Sequence, residues 1–594
     1  MIASKRYLAF AAFAIFVLFL VAHFHDSIAS QARVRYDTFF PSASKHHADG
    51  RFHWADVPVQ HPVESLTSLP SGKPKKLPRV QYDFKDQSQA LKQKPRQAAV
   101  KATFVRAWKA YKQHAWMKDE VTPINGNFKN TFGGWAATLV DSLDTLWIMD
   151  MRDEYEEAVN ACMDIDLGIS TTDTINVFET TIRHLGGFLS AYDLSGDRRL
   201  LEKAQEFGEM LLKAFDTPNR MPITRWKPQE ALYGKQEADG VVLVAEIGSL
   251  TMEFAHLSQV TGDMRWYDAV DRIMRIFHKQ LDETHLPGMF PVVVNAKELD
   301  FTQDTFFTLS AMSDSFYEYF PKMHALLGGT EPMYTKLYTR SMQTAIKHNL
   351  WRPMVPDEAD ILMSGNVKTE MSQPPTLEPQ GQHLVCFAGG MFALGGRLFE
   401  QEEQVKIGQK LTDGCVWTYK ALPMGIMPEV FNMVPCPSRC GECKWDEQKW
   451  KTEIGKVNDG TADVEEAITE LRLPKGFTQI RDRRYILRPE AIESVFILYR
   501  ATGQEYLLDA AWDMFQSIIN ATKTPLANAA LADVTYEPAF LEAQNAQVKM
   551  DDMESFWMAE TLKYFYLIFS ETSLISLDEY VFNTEAHPFK RALP

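Results

Sequence analysis

Helix-like stretches in this chain repeatedly stop at a glycine turn, and a second helix follows at once. The turns are LSGDRRLLEKA at Gly196, VTGDMRWYDAV at Gly262, LGGTEPMYTKL at Gly329, LGGRLFEQEEQ at Gly396 and ATGQEYLLDAA at Gly503. The first four glycines are almost evenly spaced, and glycine ends a helix because it takes the left-handed cap without steric cost. Inside the units the apolar period is helical, as in Phe178, Ile182, Leu185, Leu189 and Tyr192. Strand signals are sparse, MFPVVV being one. Outer helices are predicted over about 98–117, 153–165, 198–215, 264–281, 331–349, 401–420 and 504–519. Inner, more apolar ones are predicted over about 136–150, 176–193, 243–260, 304–320, 383–398, 485–501 and 553–570. Such pairs can stack as an open solenoid or close into a toroid. Inner members that are apolar on more than one face favour closure, so the expected fold is all-α, an (α/α)7 barrel.

Closure has a chemical consequence. The inner helices of a toroid run the same way, so their N-terminal ends share one mouth. Those starts carry acids: Asp141 and Asp144, Glu179, Glu246 and Glu253, Asp314 and Glu318, Glu490 and Glu493, Glu554 and Glu560. Carboxylates packed among aromatics are costly unless paired, metal-bound or catalytic. Glycoside hydrolysis needs one carboxylic acid to protonate the leaving oxygen and one carboxylate as nucleophile or base. Glu179 has Arg183 one helical turn later, so the arginine can orient the acid. Arg488 and Pro489 precede Glu490 and Glu493, with proline suited to the first turn. Asp314 occupies the matching place on another inner helix. Any one of these alone reads as an ordinary buried ion pair; together they favour a catalytic mouth. Past the last inner helix, VFNTEAHPF offers Thr584, whose hydroxyl and carbonyl are hard oxygens of the kind calcium takes. A plain terminal segment docking on the core is the competing reading there.

The formal charge of −16 argues against nucleic acid or an anionic membrane surface as partner. Lys5 and Arg6 precede an uncharged apolar run, Tyr7 to about Phe24, longer than the ~7–15 residues of a cleaved leader's core. Basic residues on its short leading side place that end in the cytosol and the rest in a lumen. The expected division is a tail over 1–6, a transmembrane signal anchor over 7–24 and a flexible luminal stem over 25–97. A catalytic barrel follows over 98–594, with a Cys-rich charged insertion about 435–475. Cys386 and Cys415 end two successive helical segments, a spacing suited to stapling a hairpin. Cys436, Cys440 and Cys443 suit a local disulfide better than a zinc site lacking a fourth ligand. Asn520-Ala521-Thr522 is a glycosylation acceptor.

The segments NVFETTIRHLGG, SDSFYEY, HLVCFAGGMFALG, PEVF, RPEAIES, MESFWMAETLKY and VFNTEAHPF resemble, in unbroken order, the signatures of class I α1,2-mannosidases, glycoside hydrolase family 47. The resemblance implies a calcium-dependent, inverting enzyme of the Golgi or endoplasmic reticulum. Its catalytic domain would be monomeric and would trim α1,2-linked mannose from high-mannose N-glycans. It implies Glu179 as general acid with Asp314 as rival, Glu490 as the base that activates water, and Thr584 as the protein ligand of calcium (Ca2+). It further implies a pocket lined or oriented by Arg183, Asp141, Glu246, His383, Glu429, Arg488, Glu493, Phe556, Glu560 and Glu585, and a Cys386–Cys415 disulfide. Two residues before Asp314, the subgroup that removes a single mannose usually has arginine. Met312 stands there instead, so trimming from nine mannoses towards five is expected. The alternative is a catalytically weak, mannosidase-like lectin that recognises misfolded glycoproteins. Such relatives typically lack the cysteine pair.

Overall fold

The computed structural model describes residues 37–38, 50–85, 88–234, 236–457, 463–540, 543 and 548–594. Helices alternate along it: α1 (Ser88–His114), α2 (Leu143–Ile148), α3 (Arg152–Cys162), α4 (Gly186–Ser195), α5 (Arg198–Leu212), α6 (Thr251–Thr261), α7 (Arg265–Gln280), α8 (Asp314–Leu326), α9 (Pro332–His348), α10 (Phe387–Leu398), α11 (Glu402–Ala421), α12 (Glu490–Thr502), α13 (Tyr506–Thr522) and α14 (Leu562–Ile568). Even-numbered helices touch in sequence, α2 to α4, then α6, α8, α10, α12 and α14. The turn before α14, Trp557–Thr561, comes back against α2. The inner set therefore forms a closed ring, a helical barrel, and each odd-numbered helix from α5 to α13 packs on the inner helix before it.

Glycine ends several of these helices as expected: Gly196, Gly262 and Gly503 cap α4, α6 and α12 with φ of +75°, +80° and +73°. Gly396 does not. It lies inside α10, where a Cβ would meet the Val405 backbone nitrogen at 2.8 Å, so it serves close helix approach. Two inner boundaries also differ. The segment expected as helix from 304 becomes one only at Asp314, because Phe306–Phe307 pairs as a strand with Asn366–Lys368 and Met312 takes φ +72°. The segment expected from 485 begins at Glu490, after Leu487 at φ +69° and Pro489. Short antiparallel strands of this kind recur just before the inner helices. They pair Ile175–Asn176 with Arg225–Trp226 and Val242–Leu243 with Val293–Val294. A three-stranded sheet joins Gln380–Gln382, Val430–Met433 and Phe477–Asp482. They make a collar around the ends where the inner helices start.

A final hairpin, Tyr580–Phe582 with Pro588–Lys590, packs against α8 and α4 inside the ring. Gly186 makes room for its turn, since a Cβ there would meet Asn583 Nδ2 at 2.7 Å and His587 Cδ2 at 3.0 Å.

The stretch from residue 50 to 85, expected as part of a flexible stem, is instead a strap laid on the barrel. Trp54, Val57 and Val80 are buried. Aspartates of distant repeats take its backbone N–H groups: Asp216 those of Gln60 and His61, Asp268 that of Thr67, Asp578 those of Val80 and Gln81. Pro, Ser and Lys hide such a strap from periodicity arguments because its hydrogen bonds are made to side chains far away in sequence. The expected anchor over 7–24 lies outside the described residues; among those described, no helix is long and apolar enough to cross a membrane. Disulfides join Cys386 to Cys415 and Cys436 to Cys443, with Cys440 exposed as a free thiol. In the insertion, helices Glu447–Val457 and Val464–Glu470 pack together, and Trp450 is buried with its Nε1 donating to the Phe477 carbonyl. Asn520 is exposed on the last turn of α13.

Candidate active site

The collar surrounds a cleft of about 260 Å³. Glu179, Asp314 and Glu490 all line it, with Arg183, Glu246, Arg488, Glu493, Phe556, Glu560, Thr584 and Glu585. Asp141, His383 and Glu429, expected at the same mouth, do not line it. All three are buried and act behind the wall.

Each acid has a different mooring. Glu179 closes a short helical turn, Val177–Glu179, capped by the Asn176 side chain, whose Oδ1 accepts the Glu179 N–H at 3.2 Å. The next six residues, Thr180–Leu185, form a π-helix, a widened turn that often marks a functional site. Even so, Arg183 Nε reaches Glu179 Oε2 at 2.9 Å. The same guanidinium pairs with Glu585 and donates to Ser555 Oγ at 3.0 Å, over the rings of Phe132 and Phe556. A second π-turn, Trp557–Thr561, carries Glu560.

Glu490 opens α12. His383 Nδ1 lies 2.8 Å from Glu490 Oε2, and His383 Nε2 lies 2.7 Å from the Tyr419 hydroxyl. A neutral ring satisfies both by donating from Nδ1 and accepting at Nε2. Arg488 adds its charge at 3.6 Å from Glu490 Oε1 and is itself held by Glu429 at 2.6 Å. Burial alone would raise the Glu490 carboxyl; the His383 hydrogen bond and then the Arg488 charge hold it below its ordinary value. Asp314 goes the other way. Burial pushes it up to about 7; the Ser315 N–H at 2.9 Å opposes the shift, and the charges of Glu318 and Glu490 add to it. One carboxyl is thus kept ionised and the other kept able to hold a proton near neutrality, the pairing that acid–base chemistry needs.

The deep end is crowded with acid. Burial raises Glu493 to about 8 despite Lys322 at 3.6 Å. Burial, with neighbouring carboxylates adding, carries Glu560 and Glu585 well above the carboxylate range. Thr584 sits among them, half-buried, on the turn of the final hairpin. That turn is pinned from below. Asn583 Oδ1 accepts the N–H groups of Glu585 and His587 at 2.9 and 2.8 Å, and its Nδ2 donates to Ile182 O and Glu253 Oε1 at 3.0 and 2.7 Å. Tyr319 donates to Glu253 at 2.7 Å and accepts the Thr584 N–H at 3.2 Å. His587 bridges Asp144 at 2.8 Å and Asp141 at 3.2 Å, and Lys563 pairs with Asp144 at 2.7 Å.

Sequence reasoning gave no role to Lys322, Tyr319, Lys563, Asn583 or Arg225. Lys322 was findable, four residues after Glu318 on one helix. Lys563 sits in an apolar run and betrays only that a lone buried cation needs an anion.

The helical barrel thus carries a cleft lined by carboxyls of opposed proton affinity, an arrangement that the acid–base chemistry of glycoside hydrolysis can use. The chain belongs to glycosyl hydrolase family 47, whose model matches residues 103–591. It is 34% identical over 499 residues to a human protein named endoplasmic reticulum mannosyl-oligosaccharide 1,2-alpha-mannosidase, covering 83% of this chain and 64% of the human one. A Candida albicans mannosyl-oligosaccharide 1,2-alpha-mannosidase is 32% identical over 542 residues, 86% of this chain and 85% of that one. The solved structure of an alpha-1,2-mannosidase from Trichoderma reesei superposes with a TM-score of 0.71 at 30% identity, covering 84% of this chain and 99% of that one.

Proposed function

We propose that this protein is an inverting hydrolase that removes terminal α1,2-linked mannose from high-mannose N-glycans in the secretory pathway. The observation that carries the reading is the convergence of Glu179, Asp314, Glu490 and Thr584 on one cleft in a family 47 chain. Glu490, held ionised by His383 and Arg488, takes a proton from the attacking water. Asp314, whose proton affinity burial raises to about 7, gives one to the leaving oxygen in place of the expected Glu179, which, tied to Arg183, becomes its rival for that step. Phe556 supports the sugar ring, and Arg183 and Glu585 meet its hydroxyls.

Calcium fits the deep end. Among the described residues no three His, Cys, Asp or Glu side chains gather as a direct cage, so a cation there would be held by Thr584 oxygens and waters. The crowded carboxyls of Glu493, Glu560 and Glu585 would accept hydrogen bonds from those waters. Bound calcium would supply positive charge that holds sugar hydroxyls. Thr584→Ala is therefore expected to weaken calcium binding, read by titration calorimetry.

The Cys386–Cys415 disulfide favours the hydrolase over the lectin alternative. Met312, more than half exposed at the rim, offers a glycan branch only apolar contact, which suits trimming from nine mannoses towards five. A single-pass anchor over 7–24 and residence in the Golgi or endoplasmic reticulum membrane complete the reading. Purified protein with α1,2-mannobiose tests it: cleavage lost on chelation and restored by calcium supports the hydrolase, and inactivity under every condition refutes it.

A further inference from the structure

The cleft is graded from closed to open. At its deep end Arg183, Glu560 and Glu585 are 6%, 5% and 3% exposed, whereas at the rim Met312 is 54% exposed and the Arg225 side chain 52%. Arg225 belongs to no motif that marks the catalytic acids. It reaches the cleft through strand pairing: Arg225–Trp226 runs antiparallel to Ile175–Asn176, with Arg225 opposite Asn176. Trp226 points inward, fully buried, its Nε1 donating to Gln236 Oε1 at 2.7 Å. Alternation along the strand turns Arg225 the other way. Asn176 is the residue that caps the turn bearing Glu179, so Arg225 is fixed beside the acids rather than placed there by a floppy loop.

The guanidinium is held at one corner. Arg225 Nη2 meets Glu246 Oε1 at 2.5 Å, and Glu246 also lines the cleft. A guanidinium offers five donors in a planar fork, so the Glu246 contact and a long Nη1 contact to the Thr224 carbonyl at 3.5 Å leave others for a ligand. A fixed carboxylate beside a fixed guanidinium suits neighbouring sugar hydroxyls, one donating to the acid and one accepting from the arginine.

A cleft closed at its deep end takes the terminal sugar there. The leaving oxygen belongs to the next sugar, which must lie toward the opening. We propose that Arg225, held by Glu246, is a specificity-determining residue that binds the hydroxyls of the sugar on the leaving side of the scissile bond. The proposal rests on the hydrolase reading above. It separates two tasks: the deep end recognises the terminal mannose, and the Arg225–Glu246 pair checks that another sugar follows it.

The test uses the full chain with Arg225→Ala and Arg225→Lys, comparing hydrolysis of α1,2-mannobiose with inhibition by free mannose, which fills only the deep end. Arg225→Ala should raise KM for the disaccharide about tenfold while kcat and the inhibition constant for mannose stay within twofold. Arg225→Lys, keeping the charge without the fork, should recover part of that loss. Unfolding temperatures of the variants report that the barrel is intact. A disaccharide KM that does not move, or a mannose inhibition constant that worsens in parallel, overturns the assignment while leaving the hydrolase reading standing. Wild-type protein that leaves mannobiose uncleaved overturns both.

Discussion

His383 never touches the cleft, yet it should set the acid side of the pH profile. Its Nδ1 lies 2.8 Å from Glu490 Oε2; His383 is buried and the Glu490 side chain only 12% exposed, so the bond is a hydrogen bond to a charge in a poorly solvated place. Such a bond contributes about 1.5–3 kcal/mol. At 1.36 kcal/mol per pKa unit, His383→Phe should raise the Glu490 pKa by about 1–2 units. The phenyl ring keeps the volume, and Arg488 at 3.6 Å still supplies its charge. Glu490 is needed ionised, so the limb of kcat/KM that falls toward low pH should move up by the same 1–2 units, with the plateau reduced less. Tyr419→Phe leaves the His383–Glu490 contact and loses only the bond at Nε2, so its shift should be smaller. The assay is the pH dependence of mannobiose hydrolysis from about pH 4 to 8. An acid limb that stays in place in His383→Phe would refute the reasoning.

Asp314 with a carboxyl near 7 is protonated below that pH, so activity should decline as pH rises through about 7. Asp314→Asn should lower kcat about 10²–10⁴-fold, the usual contribution of an acid catalyst, and Glu179→Gln should cost less, as stopped assays at matched pH would show. Lys563→Met removes one of the two basic partners of buried Asp144, His587 remaining at 2.8 Å, and should destabilise the fold by about 3 kcal/mol, the low end for a broken buried pair, in urea unfolding. His587 and Lys563 hold the folded pKa of Asp144 below its unfolded value against the opposing effect of burial. That stabilisation is therefore present above about pH 4 and lost as pH falls through the depressed value. Removing the strap by starting the chain at residue 86 strips Trp54, Val57 and Val80 from the barrel and should lower the unfolding temperature by several degrees.

The repeat was legible because its signals are local. A glycine at φ +80° after α6 or an acid four residues before an arginine can be read within one turn of helix. Glu179 with Arg183, and Glu490 with Glu493 after a proline, followed from that spacing. What escaped depends on contacts between distant segments. The helix expected from 304 starts late because Phe306–Phe307 finds a strand more than fifty residues ahead. Asp141, His383 and Glu429 carry the right chemistry, but packing sets them one layer back. Arg225 was invisible because only its pairing with Asn176 brings it to the cleft. The strap escaped for the same reason: the partners of its N–H groups are aspartates up to 498 residues away.

The most direct test is the anomeric form of the first product. Early ¹H NMR of α1,2-mannobiose hydrolysis, wild type beside Glu490→Gln, should show β-mannose appearing first, at a rate at least about 100-fold lower in the variant. First release of α-mannose, or equal rates in the two proteins, would contradict a water activated by Glu490 across the cleft from a protonated acid.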